Sequence, residues 1–127
     1  MKTILIIEDN HEVRQSFIDF FEDNLWSVYQ AASTEEALEL LESTQEVIRI
    51  SLVDIRLPGK DGNTYIREAL QETRDMLFVI CTGTPAYQLP LDLFEAARVS
   101  KRFYKKPVND LNILEADLYS LIKNKSV

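Results

Sequence analysis

Five side chains able to bind or transfer charge stand at the ends of short apolar runs. Glu8 and Asp9 follow Ile4-Leu5-Ile6-Ile7, and Asp54 follows a run that ends at Val53. Thr82 closes Leu77-Phe78-Val79-Ile80-Cys81, and Lys106 comes just after Phe103-Tyr104. Carboxylates gathered in one place repel, so one must take up a proton or a cation must sit among them. A donor set of oxygens, with no His or Cys in it, suits a hard cation such as Mg²⁺, which keeps waters and takes few carboxylates. A carboxylate can also accept a phosphoryl group as an acyl phosphate. Transfer then requires neutralisation of the charge on the phosphoryl oxygens. One of these carboxylates could be that acceptor, with Mg²⁺, the Lys106 ammonium and the Thr82 hydroxyl as the neutralising groups.

The loop after the first run excludes common rivals. Nucleotide-binding folds place Gly or Ser/Thr there, so that free amides cradle phosphate. Here Glu8-Asp9-Asn10 would repel phosphate unless a cation intervened, and neither GxGxxG nor GxxxxGK[ST] occurs.

The elements that must carry these residues alternate between two periods. The apolar runs at 4–7, 28–31, 48–53 and 77–81, with a brief one centred on Phe103-Tyr104, read as strands, the continuous ones covered on both faces. Between them, Val13, Phe17, Phe20 and Phe21 recur at helical spacing, as do Ala37, Leu40 and Leu41 after the capping box Ser33-Thr34-Glu35-Glu36. Tyr65, Ile66, Ala69 and Leu70 mark a third helix, residues 91–99 a fourth, and Leu111, Leu114, Leu118, Leu121 and Ile122 a fifth. Repeated βα units imply a parallel sheet with helices on both faces and right-handed crossovers. Ligands of such sheets bind beyond the carboxyl ends of the strands, where the five chemical residues lie.

The chain has 127 residues, enough for one core, and reads as one domain over 1–127 with residues 123–127 expected to fray. Its net charge of -7 repels nucleic-acid phosphates, so direct nucleic-acid binding is not expected. The single cysteine, Cys81, rules out an intramolecular disulfide. The apolar stretches are too short to span a bilayer, and the opening run ends in acid rather than in an export pattern, so a cytoplasmic setting without membrane contact is expected. His11 reads as a solvated residue, Trp26 and Cys81 as packing residues.

These pieces together resemble the receiver domains of two-component response regulators over essentially the whole length. They are the acidic pair Glu8-Asp9, the segment from Asp54 through Arg56, Pro58 and Gly59 to Gly62, Thr82, and Lys106-Pro107, in that order. The resemblance implies a flavodoxin-like α/β fold, a doubly wound five-stranded parallel sheet of order 2-1-3-4-5 flanked by five helices. It implies that Asp54 accepts phosphate from a phosphohistidine on a histidine kinase or phosphotransfer protein. Asp9, Asp54 and the backbone carbonyl of Arg56 would ligate Mg²⁺, with Glu8 acting largely through metal-bound water. Thr82 and Lys106 would meet phosphoryl oxygens, and Thr82 would move in concert with the aromatic at Phe103, changing the surface shown to a downstream target or output domain. Such a domain catalyses only its own phosphoryl transfer and dephosphorylation and has no separate substrate.

Some positions depart from that pattern. Phe103 has no hydroxyl, Val99-Ser100 stands where Gly-Ala is frequent, and Pro85 and Pro90 delay the fourth helix to about Leu91. Two other classes compete. A phosphatase with an aspartyl phosphate intermediate generally wants a second acid two residues after the nucleophile, and here that residue is Arg56. A degenerate receiver acting as a phosphorylation-independent interaction module would not need the full set of Glu8, Asp9, Asp54, Thr82 and Lys106.

Overall fold

Alternation along the apolar strands decides which helices cover which face of the sheet. On β1 (Thr3–Ile7), Ile4 and Ile6 point to one side and Leu5 and Ile7 to the other, and all are buried. The computed structural model describes residues 1–126. After β1 come α1 (His11–Asp23), β2 (Ser27–Ala31), α2 (Thr34–Ser43), β3 (Ile50–Val53) and α3 (Gly62–Glu72), then β4 (Leu77–Thr82), α4 (Leu91–Glu95), β5 (Tyr104–Lys105) and α5 (Leu111–Ser126). The strands form one parallel sheet in the order β2-β1-β3-β4-β5, as the resemblance implied.

Ile4, Ile6, Ile50, Leu52, Val79 and Cys81 pack against Phe17, Ile18 and Phe21 of α1 and Leu114, Leu118 and Ile122 of α5. The opposite face carries Leu5, Ile7, Val53, Phe78 and Ile80 against α2, α3 and α4 through Ala37, Tyr65, Ile66, Ala69 and Leu93. Removal of Phe21 and Phe78 from water stabilises the fold by about 2 kcal/mol each. Ser51, the one polar residue inside β3, is buried with its hydroxyl 2.9 Å from the Tyr65 hydroxyl.

Caps set the helix starts. The Asn10, Ser33 and Asp61 side chains accept from the amides of Val13, Glu36 and Thr64, which relieves otherwise unpaired donors. The capping box is present, with Glu36 reaching back to the Ala32 amide, one residue before the cap.

The fourth helix differs from expectation. It begins at Leu91, after Pro90, but ends at Glu95 instead of continuing to Val99. The cause is competition for backbone: Phe78 of β4 donates to the Arg98 carbonyl at 2.8 Å and accepts from the Ser100 amide at 2.8 Å, and Val99 bridges to Phe78. Residues 98–100 thus protect the edge of β4, which costs the helix its last turn. The remaining strand boundaries shift slightly: β2 starts at Ser27, β3 at Ile50, and β5 covers Tyr104–Lys105. At the carboxyl end α5 runs through Ser126, across most of the stretch expected to fray, and Val127 lies outside the described residues. Among the described residues no helix is long and apolar enough to cross a membrane.

Candidate functional site

Backbone pairing continues beyond the strands and delivers the site residues to one edge. The Glu8 amide donates to Ala31 O at 3.1 Å, Asp54 N–H to Ile7 O at 3.0 Å, and Lys106 N–H to Thr82 O at 3.0 Å. These bonds fix the loops after β1, β3 and β5 against their neighbouring strands. Gly62 completes the arrangement. Its amide donates to Ile55 O at 2.9 Å, and it approaches the Asp54 carbonyl so closely that a β-carbon there would fall 2.2 Å from that oxygen. Only glycine permits that approach.

The carboxylates of Glu8, Asp9 and Asp54 each offer an oxygen within 4.8 Å of the others. Glu8 and Asp54 are buried, whereas Asp9 is exposed at the mouth. Lys106 bridges the two buried acids, its Nζ 2.5 Å from Glu8 Oε1 and 3.1 Å from Asp54 Oδ2. The other Glu8 oxygen accepts from the Asn10 amide at 3.1 Å, and Asp54 Oδ1 has a long 3.4 Å contact from the Arg56 amide. Burial pushes the Glu8 carboxyl above its ordinary value against the lowering pull of Lys106 and the Asn10 amide, and the charge of Asp54 adds to the rise. Burial also works to lower the Lys106 ammonium, but its bonds to Glu8 and Asp54 prevail and hold it above its usual range. The ammonium therefore stays charged, and the negative charge it does not neutralise favours a further cation.

An open concavity of about 370 Å³ is bounded by Glu8, Asp9, Asp54, Arg56, Gly83 and Lys106 among others. Its donor set of hard oxygens fits a divalent cation such as Mg²⁺. Thr82 is buried at the end of β4 and turns to its own loop: its hydroxyl lies 3.1 Å from Thr84 Oγ1 and accepts the Thr84 amide at 3.1 Å. Phe103 is half-buried and packs against the core that faces α3 and α4. Glu8, Asp9, Asp54, Arg56 and Lys106 thus line one concavity, while the Thr82 hydroxyl is engaged with Thr84 and Phe103 packs on Tyr87. His11 is exposed at the start of α1, with its Nδ1 3.2 Å from Arg14 Nη2.

Two features escaped the sequence reading. Arg14, a turn into α1, folds back onto the main chain of the acidic loop. Tyr87, in the loop between β4 and α4, packs on Phe103 and donates to Asn63. An arginine four residues after the N-cap was the signal available for the first; for the second, the sequence carried none.

Residues 4–116 match the family model described as response regulator receiver domain. Among curated proteins, the chain is 32% identical over 81 residues to the sensor kinase CckA of Brucella abortus (strain 2308), which covers 64% of this chain and 9% of the kinase. It is 26% identical over 123 residues to a cyclic di-GMP phosphodiesterase of Thermotoga maritima, covering 97% of this chain and 32% of that protein. The chain therefore spans well under half the length of these two relatives. Among solved structures, a CheY-like response regulator receiver domain from Methanospirillum hungatei JF-1 superposes with a TM-score of 0.83 at 25% identity, covering 99% of this chain and 97% of that one.

Proposed function

The chain belongs to the response regulator receiver domain family, and from that premise we propose that Asp54 is its phosphoacceptor. The observation that carries this reading is the Lys106 bridge between buried Glu8 and buried Asp54, with Asp9 open beside them. A partner phosphohistidine, on a histidine kinase or phosphotransfer protein, is the proposed donor. A carboxylate oxygen of Asp54 attacks phosphorus, the new O–P bond forms as the N–P bond breaks, and the imidazole leaves with that electron pair. Glu8, Asp9, Asp54 and the Arg56 carbonyl would hold Mg²⁺, which when bound supplies positive charge to the phosphoryl oxygens. Lys106 contributes a second positive charge from within hydrogen-bond distance of Asp54.

Thr82 would bond a phosphoryl oxygen only by giving up Thr84, and that exchange is the proposed trigger for movement of the loop and of Phe103. The altered surface then meets a downstream protein or output domain. In this reading the domain turns over only its own acyl phosphate, acts in the cytoplasm, and contacts neither nucleic acid nor membrane itself.

Incubation with acetyl phosphate and Mg²⁺ tests the proposal. The expected result is a mass gain of one phosphoryl group that Asp54→Asn abolishes, with amide NMR shifts at Thr82 and Lys106 spreading to Phe103. Suppose instead Mg²⁺ perturbs Glu8 and Asp9 while the phosphoryl donor adds nothing. The chain would then be an interaction module that keeps the fold and cation site without the signal.

A further inference from the structure

We propose that Arg14 is a positioning residue for the cation site, which rests on reading Glu8, Asp9 and Asp54 as that site. Side chains on a helix lean toward its N-terminus, so Arg14 on α1 reaches back over the acidic loop. Its Nη1 donates to the Glu8 carbonyl at 2.8 Å and contacts the Asp9 carbonyl at 3.5 Å. Its Nε donates to Gln30 Oε1 on β2 at 2.9 Å, and its Nη2 meets His11 Nδ1 at 3.2 Å. One planar fork therefore ties the main chain of both acids to β2 and to the first turn of α1. Toward the two acids it addresses main-chain carbonyls and not the carboxylates.

Asp9 gives the reason such a clamp matters. It is the exposed member of the trio, on a loop whose backbone is also held by the Glu8 amide on Ala31, the Asn10 amide on the Glu8 carboxylate and the Asn10 cap. Groups that orient ligands from outside commonly change metal affinity by 10- to 100-fold when lost. Arg14 is also a positive charge close to a cation site. On Coulomb grounds alone its removal should strengthen cation binding. Positioning and plain electrostatics therefore predict opposite signs.

The test is Mg²⁺ titration of the whole chain, followed by the Asp9 and Asp54 amide NMR signals, for the wild type, Arg14→Gln and Arg14→Lys. Thermal unfolding of each variant is recorded alongside. Positioning predicts that Arg14→Gln weakens Mg²⁺ about 10-fold, with the Asp9 signal displaced before any Mg²⁺ is added. Arg14→Lys, which keeps the charge but not the fork, is expected to weaken it as well. Affinity unchanged or tightened in Arg14→Gln, or fully restored in Arg14→Lys, overturns the proposal. Should Arg14→Gln fail to fold, Arg14→Lys alone decides by the same criterion. No Mg²⁺ binding by the wild type would sink the cation site itself, an outcome distinct from a wild type that binds and variants that match it.

Discussion

Tyr87 stands edge-on to Phe103, with ring centroids 5.2 Å apart and planes at 87°, while its hydroxyl donates to Asn63 Oδ1 at 2.8 Å. The aromatic before β5 has no hydroxyl of its own, and the one beside it anchors to α3. Replacing Tyr87 by Phe keeps the ring pair and removes the anchor. The expected cost is about 1 kcal/mol, the usual net worth of one such hydrogen bond. Urea unfolding checks it, and a variant as stable as the wild type would show that solvent replaces Asn63 without loss.

Gly62→Ala is expected to be far more damaging. The added methyl carbon would fall 2.2 Å from Asp54 O and 2.9 Å from Ile55 Cα, both main-chain atoms with no rotamer to yield. Overpacking of this kind costs about 3 kcal/mol. The backbone of Asp54 must shift to relieve it, so phosphoryl uptake from acetyl phosphate should fall along with stability. A variant that matches the wild type in both would refute the close approach.

Removal of the Lys106 ammonium should make stability depend on pH. Burial already raises Glu8 above its ordinary 4.5, and Lys106 opposes that rise. In Lys106→Ala the rise grows. A carboxyl held above its unfolded value stabilises the folded state fully below that value, and the contribution is lost as pH climbs through the folded one. The variant should therefore approach wild-type stability near pH ~4.5 and fall about 3 kcal/mol below it at pH ~8, where a buried charge is left unpaired. Chemical denaturation at the two pH values gives the comparison, and Mg²⁺ should recover part of the loss at the higher one. Equal deficits at both would disprove the linkage.

Cys81 lies buried on β4, and burial pushes its thiol up to about 12. Alkylation needs the thiolate, so iodoacetamide at pH ~8 should leave the folded protein unlabelled. Labelling should appear in step with unfolding as urea rises. Because the folded value exceeds the ordinary 9.0, the stabilisation from the neutral thiol is lost as pH climbs from that value toward about 12. Rapid labelling of the native protein would contradict the burial.

Most of the site was legible because its chemistry punctuates apolar runs. Glu8, Asp9, Asp54, Thr82 and Lys106 each end or follow a strand, and parallel topology alone sends such ends to one edge. What stayed hidden depends on distance in the chain. Lys106 stands 98 residues from Glu8 and 52 from Asp54, so that the lysine would bridge these two acids could not be read from spacing. The fourth helix read as longer because Leu91 to Val99 has helical composition, yet the backbone at 98–100 is claimed by Phe78 from another element. Arg14 fell within an ordinary amphipathic turn, and only its side-chain path marks it out.

β4 ends at Thr82 and β5 ends at Lys105, and these two residues are paired neighbours. The chain between them is a closed path, pinned midway where Val99 bridges to Phe78, and its two feet are Thr82 and the residue next to Lys106. Tyr87, the short α4 and the strip at 98–100 all ride on that path. On the proposed reading, a protein that grips it, and holds one position of the feet better than another, would alter the affinity of the site for a phosphoryl group. By reciprocity the phosphoryl group would alter the grip by the same factor. Reader and site would then be coupled through one loop and the elements it carries.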